Sequence, residues 1–280
     1  MAEKKEKKII SADTNQEISK EEIEEKRKEN YKKAKPVGNA KSKRIVAIIL
    51  WVVALAMEVL AVLVLNGKGV HFMSQLAQLI IALVLDLACV IIGSQFWKQA
   101  NHIDPASEAN KVKFWLWNNM GVIVCTVAFV PVIILMLANK ELDKKTKAIA
   151  TVVAIIALLI GGVCSYDFNP ISEEQLDAAV EALGGDQVYW APFGHVYHTH
   201  DDCQSLSQSE QLTVGTVEQA IAANRTRLCA FCAKQDNITG VVTDDGDKAV
   251  VEDTEDDAEE ETEEETDGDL KLIEDEGLGD

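Results

Sequence analysis

The chain has 280 residues, a formal charge of −19, 48% hydrophobic residues and a mean hydropathy near zero. Those averages would suit an acidic soluble protein, but neither property is spread evenly, so they exclude little until the chain is divided. Residues 241–280 hold twenty Asp and Glu against two Lys, residues 1–44 hold fourteen Lys and Arg against nine acids, and the apolar residues concentrate between 45 and 164.

The expected order is a basic N-terminal tail (1–43), a membrane block (44–165), a linker helix (166–185), a small metal-binding domain (186–240) and an acidic tail (241–280). In the first tail, segment 19–34 pairs Glu22 with Lys26, Glu24 with Lys28 and Glu29 with Lys33 at helical spacing. Such pairs add only a few tenths of a kcal/mol each, so a frayed helix or disorder is expected. The basic run is also suited to anionic lipid headgroups.

The first span is Ile45–Leu65, 21 residues with one charge. Roughly 20 residues at ~1.5 Å each cross a hydrocarbon layer of about 30 Å. Further spans are read at about 72–97, 114–138 and 148–165. Helices apolar on every face must be buried all round, and four of them joined by short polar loops cannot all be buried in a chain this small. The bilayer is therefore the expected surrounding.

Trp97, Phe114, Trp115 and Trp117 fall at span ends, where aromatic rings favour the headgroup layer. Pro131 removes a backbone donor from the third span and is expected to kink it. Nine Lys and Arg lie just before span one, from Lys26 to Arg44, and the 98–113 loop adds Lys98, Lys111 and Lys113. The alternate loops carry Lys68 and then Lys140, Lys144, Lys145 and Lys147. The majority sets the N-terminus and, after four spans, the C-terminal domain on the cytoplasmic side of the cell membrane. The four lysines of the third loop point the other way.

Glu58 and Asp86 are acids inside spans one and two, where a functional role is the default hypothesis. Counted from the outer span ends at Leu65 and Phe72, they lie about 10 Å and about 21 Å deep. At unequal depth they read as a protonated acid or an interhelical hydrogen bond, with a small transporter or channel as the alternative.

Beyond the spans, Ser172 is a good helix N-cap with acids in the first turn, giving a helix from about Glu173 to Leu183 that Gly184–Gly185 ends. Val188–Trp190 and His195–His198 alternate as two short strands around a Pro-Phe-Gly turn. Residues 216–223 read as a helix capped by Thr216, and Asn224 suits the left-handed conformation that closes it.

Three cysteines, an odd number for a disulfide framework, lie close to histidines here. Cys229-Ala-Phe-Cys232 lets two thiolates reach one ion from a tight turn, and His198 with Cys203 supplies the second half. A Cys3His set is a closed tetrahedral shell of the structural zinc type. His200 is the rival to His198, because it lies nearer Cys203; a strand ending at Tyr197-His198 favours His198. A redox Cys-x-x-Cys would need a βαβ surround that is not visible. A core of about fifty residues this poor in large apolar groups also needs a metal to cohere.

Val196-Tyr197-His198, Cys203, Thr216-Val217-Glu218-Gln219-Ala220 and Cys229-Ala-Phe-Cys232 together resemble a small zinc domain of many bacterial proteins. That domain is similar to the metal-binding domain of Ada-type DNA methylphosphotriester repair proteins. The resemblance covers about 45 residues and departs from the usual pattern at Asn224 and Leu228. It implies structural Zn2+ on His198, Cys203, Cys229 and Cys232. It does not carry over the repair chemistry, since His198 stands where the methyl-accepting Cys would be. Between 186 and 234 the only fixed cations are Arg225, Arg227 and Lys234, too few for phosphate contacts, so nucleic acid is not an expected partner.

The acidic tail is expected to be disordered, with Leu270–Ile273 as a short apolar break suited to a partner. With no nucleophile–base pair, phosphate loop or open metal site in view, no enzymatic role is expected. The expected fold class is an all-α four-span transmembrane bundle plus a small zinc-stabilised α+β domain, with disordered termini. The expected role is a membrane-anchored adaptor with a protein partner and room for homo-oligomers. A metal or redox sensor using the Cys3His site is the remaining alternative.

Overall fold

The computed structural model describes residues 7–23, 38–69 and 73–245. The larger part of the 19–34 segment, the Leu270–Ile273 break and the acidic tail from 246 onward lie outside the described residues.

Four long helices form the bundle: α1 (Ala40–Leu65), α2 (Gln75–Ile103), α3 (Lys111–Ala138) and α4 (Lys144–Ser165). All four are long and apolar enough to cross a membrane. Their first turns begin before the apolar runs because a polar side chain caps each one. Asn39 accepts from the amides of Lys41 and Ser42, Ser74 from Ala77, Asn110 from Lys113, and Asp143 from Lys145 and Thr146. Each cap satisfies amides that have no intrahelical partner. Pro131 lies inside α3, which runs on past it as one helix.

Small residues set the packing. Ala47, Ala54 and Ala61, seven apart on α1, are buried. Gly93 of α2 meets Trp51 and Ala47, Gly121 of α3 meets Ser94, and Gly161 of α4 meets Cys125. Small residues let helix backbones approach closely where lipid provides no hydrophobic drive. The outward faces stay apolar and exposed, as at Ile45, Ile49, Val52, Ile92, Val127 and Val163. That much exposed aliphatic surface suits lipid and not water.

Trp97 differs from expectation. It is buried, stacked 5.2 Å from Trp51 and 5.5 Å from Trp117, and its indole nitrogen donates to the Trp117 carbonyl at 2.8 Å. The Arg44 guanidinium lies 5.9 Å from both the Trp97 and Trp117 rings and pairs with Asp104 at 2.6 Å. This tryptophan therefore ties three helices together, while Trp115 is the exposed ring.

The two intramembrane acids are also closer in level than their sequence positions imply. Gly93 lies against Ala47 and Trp51, and the Gln75 side chain donates to the Val64 carbonyl. Between these antiparallel anchors, Asp86 falls opposite the turn after Ala54, about one turn from Glu58. Counted from Gln75, where the helix starts, Asp86 is about 16 Å from the outer end, so the two acids remain at unequal levels but by about one turn instead of two. Asp86 is 2% exposed, and its Oδ1 has no hydrogen-bond partner among the described residues.

The domain after α4 begins with α5 (Glu173–Leu183), closed by a capping box in which Ser172 and Gln175 satisfy each other's amides. One sheet takes the order β1-β4-β2, where β1 is Lys8–Ser11, β2 Val188–Trp190 and β4 Gln211–Gly215. β2 runs antiparallel to β4. A second, parallel pair joins β3 (Val196–Tyr197) to β5 (Arg227–Leu228). Helices α6 (Val217–Ala222) and α7 (Ala230–Gln235) complete it. Thr216 caps α6 in a second capping box, and Asn224 takes φ +67° just after it. Tyr197, Leu206, Leu212, Ile221, Leu228 and Val188 are fully buried in its core.

Two boundaries differ from the sequence reading. Residues 8–11, expected in a disordered tail, pair parallel with 211–214, and Ile9, Ile18 and Ile23 bury against Val214. At the other end the fold runs past 240. Val241 is buried, Val242 accepts from the Leu228 amide at 3.0 Å, and Asp244 accepts from the Ala230 amide at 2.8 Å.

The domain sits on one end of the bundle. The Glu173 amide donates to Ala106 at 3.3 Å, Glu174 accepts from Ser107 and from the Glu108 amide, and His102 lies 3.0 Å from Asp167. Since β1 precedes α1 and β4 follows α4, both ends of the bundle's chain emerge at that same end.

Candidate metal centre

The centre is assembled from two segments that β3 and β5 hold side by side. His198 follows β3, and its amide and carbonyl exchange hydrogen bonds with Tyr189 at 2.8 and 2.7 Å. Five residues on, Cys203 leads into a single 3-10 turn, Gln204–Leu206. Cys229 follows β5; its amide donates to the Tyr197 carbonyl at 3.0 Å, and it heads α7. Cys232 lies on the first turn of that helix, so one turn of backbone points both thiols inward.

The four candidate ligand atoms lie within 4.8 Å of one another, and all four residues are buried. Cys203 Sγ is 3.9 Å from Cys229 Sγ, and Cys232 Sγ is 3.8 Å from His198 Nδ1. A tetrahedral ion with sulfur bonds of ~2.3 Å requires edges of about 3.8 Å between ligands. The residues therefore fit a four-coordinate metal with no ligand position left over.

The hydrogen bond from the Cys232 thiol, aided by His198 and Ser205 and opposed by burial, holds Cys229 far below the usual thiol range. The same bond, together with burial, pushes Cys232 up. A bound metal would take the sulfurs as thiolates and displace this shared proton.

His200 does not join the cluster. Its Nε2 lies 2.7 Å from Asp236 Oδ1, while Thr199 Oγ1 donates to Asp236 Oδ2 at 2.5 Å. Burial pushes the Asp236 carboxyl up, but these bonds and the nearby His200 ring outweigh it and hold the group below its ordinary value. Asp236 thereby ties the His198 loop to the end of α7. Sequence reading missed it, because a single Asp four residues after Cys232 carries no pattern. His195 is exposed, on the turn before β3. Cys89, Cys125 and Cys164 are free thiols in the bundle, away from the cluster.

Compared with known protein families, with curated proteins and with solved structures, the chain matches none of them.

Proposed function

We propose that this is a multi-pass membrane protein that carries a structural zinc domain and acts as an adaptor for a protein partner. The observation that carries the reading is the buried convergence of His198, Cys203, Cys229 and Cys232 at tetrahedral spacing. A closed Cys3His shell is the structural zinc type; catalytic zinc keeps an open position. The zinc would contribute to folding and supply no reaction. Within this reading the likeness to the small Ada-like zinc domain extends to its metal.

The cytoplasm is the proposed side for the domain and both chain ends. The lysine excess before α1 favours that side. One of the opposing lysines also serves the helix end beside it, since Lys147 donates to the carbonyls of Leu137 and Asn139 and so closes α3.

The test is metal analysis of the intact chain by native mass spectrometry. The intact chain is required because β1 and residues 241–244 belong to the domain. One tightly held zinc per chain supports the reading; a folded, metal-free domain overturns it.

A second reading is favoured by one observation. Asp86, buried with an oxygen that no described residue partners and about a turn from Glu58, suits an ion- or proton-conducting role. Proteoliposome flux that disappears in Asp86→Asn would support it over the adaptor role.

A further inference from the structure

Where the domain meets the bundle there is a cavity of about 530 Å³, a size typical of small-molecule sites, which favour domain junctions. One wall is a single face of α2, with Gln95, Lys98 and Gln99. The opposite wall is His195 and the end of α6.

Its lining holds one lysine and one carboxylate, which differ in the hydrogen bonds they have left to make. Among the described residues that line it Asp167 is the only carboxylate, and His102 at 3.0 Å and the Asn169 amide at 3.0 Å already occupy it. Lys98 Nζ donates to the carbonyls of Cys164 at 2.9 Å and Tyr166 at 3.3 Å, which leaves one of an ammonium's three hydrogens. Gln99 uses its oxygen to accept from Lys43 at 2.7 Å, so its amide hydrogens remain. Lys98 and Asp167 balance each other in charge, but the carboxylate is occupied while donor hydrogens on Lys98 and Gln99 remain, so the complement is an acceptor-rich group such as an anion.

Its position narrows the anion. Ile92, one turn from Gln95 on α2, is 48% exposed, and Val163, beside Cys164 on α4, is 63% exposed. Each stands three residues from a lining residue, Ile92 from Gln95 and Val163 from Tyr166, which puts an exposed apolar strip beside the cavity. On the domain side, Phe193 is 96% exposed two residues from His195, and Phe168 on the cavity wall is 65% exposed. Exposed aromatic rings at the level of helix ends belong to the headgroup layer.

We propose that this cavity binds the phosphate of an anionic phospholipid, with the acyl chains along the Ile92–Val163 strip. The same phosphate chemistry could come from free phosphate in solution, so the experiment separates the two sources. Intact protein in detergent is titrated with phosphatidylglycerol, phosphatidylcholine or inorganic phosphate and read by native mass spectrometry. Phosphatidylglycerol is retained about tenfold better than phosphatidylcholine, the scale of one charge-assisted hydrogen bond.

Lys98→Met, which removes the charge, and Ala222→Phe, which fills the cavity without touching a charge, each lower that retention by about tenfold. His195→Ala, on an exposed turn, lowers it without any risk to the fold of α4. Unchanged metal content and helix content verify that each variant is folded. Equal retention of the two lipids, full retention in folded Ala222→Phe, or inorganic phosphate binding as tightly as the lipid would each overturn the proposal.

Discussion

Three histidines, His195, His198 and His200, fall within six residues, and only the middle one reaches the sulfurs. The end of β3 decides this: His198 follows the buried Tyr197 directly and lies beside Cys232, while the chain bends at Thr199 and carries His200 to Asp236. Substitution separates the roles. If the cluster holds the proposed structural zinc, whose binding free energy would be folding free energy, His198→Ala removes one of its four candidate ligands and is expected to lose the metal and melt the domain. His200→Ala removes one partly exposed hydrogen bond, worth about 1 kcal/mol, and retains one metal ion per chain. Metal-to-protein ratios of the two purified variants check this directly, and metal loss from the His200 variant alone would invert the assignment.

Among the elements, the strand β1 carries the clearest consequence. It lies next to β4, and its segment is anchored in several independent ways. Lys20 pairs with Asp201 at 2.6 Å, Lys7 donates to the Asp201 carbonyl at 2.8 Å, and Gln219 donates to Asp13 at 2.7 Å. Asp201 lies between His198 and Cys203, so the N-terminal segment braces the metal loop. The ion pair is largely exposed and contributes under about 1 kcal/mol; the buried isoleucines contribute more. Ile9→Ala is expected to cost about 2–4 kcal/mol and to speed metal loss to a chelator, whereas Lys20→Ala leaves that rate nearly unchanged. Equal chelation rates in Ile9→Ala and the parent chain would mean that β1 merely rests on the domain.

This strand also marks where the sequence was legible. Helices α1 to α6 and the two capped turns could be read because each carries a local signal: an apolar run, a Ser or Thr three residues before Gln, or an Asn suited to positive φ. The candidate cluster was legible in two parts: spacing brings Cys229 and Cys232 together, and a strand ending at Tyr197 favours His198 over His200 beside Cys203. β1 had no such signal. Lys8–Ser11 is only four residues, too short for a periodic pattern to stand out, and its partner lies some two hundred residues away, so only the folded sheet reveals it. The separation of Glu58 and Asp86 was legible only in direction, because the register of two helices is set by contacts such as Gly93 on Trp51 and not by loop ends.

At the scale of the whole molecule, the junction between bundle and domain is held by carboxylates, and this makes it acid-sensitive. Hydrogen bonds from Ser107 and from the Glu108 amide bring the Glu174 carboxyl down from 4.5 to about 2. Burial pushes Asp167 up, but the hydrogen bond and charge of His102, the Asn169 amide and Lys98 outweigh it, and the group titrates below its usual 3.8. Both folded values are depressed. The stabilisation is therefore complete above the unfolded values and is lost as pH falls through the folded ones. For Glu174 the window runs from 4.5 down to about 2. Since the Glu108 amide donates to Glu174 at 2.9 Å, its hydrogen-exchange protection, corrected for the intrinsic rate, is expected to fall across that window. Cysteine protonation also releases metal in acid, so the Glu174→Gln variant provides the control. In it the Glu108 amide is weakly protected already at neutral pH and has little left to lose, while metal release keeps its original midpoint. If the variant lost Glu108 protection along the same acid curve as the parent chain, the junction would be following the metal domain and not its own carboxylates.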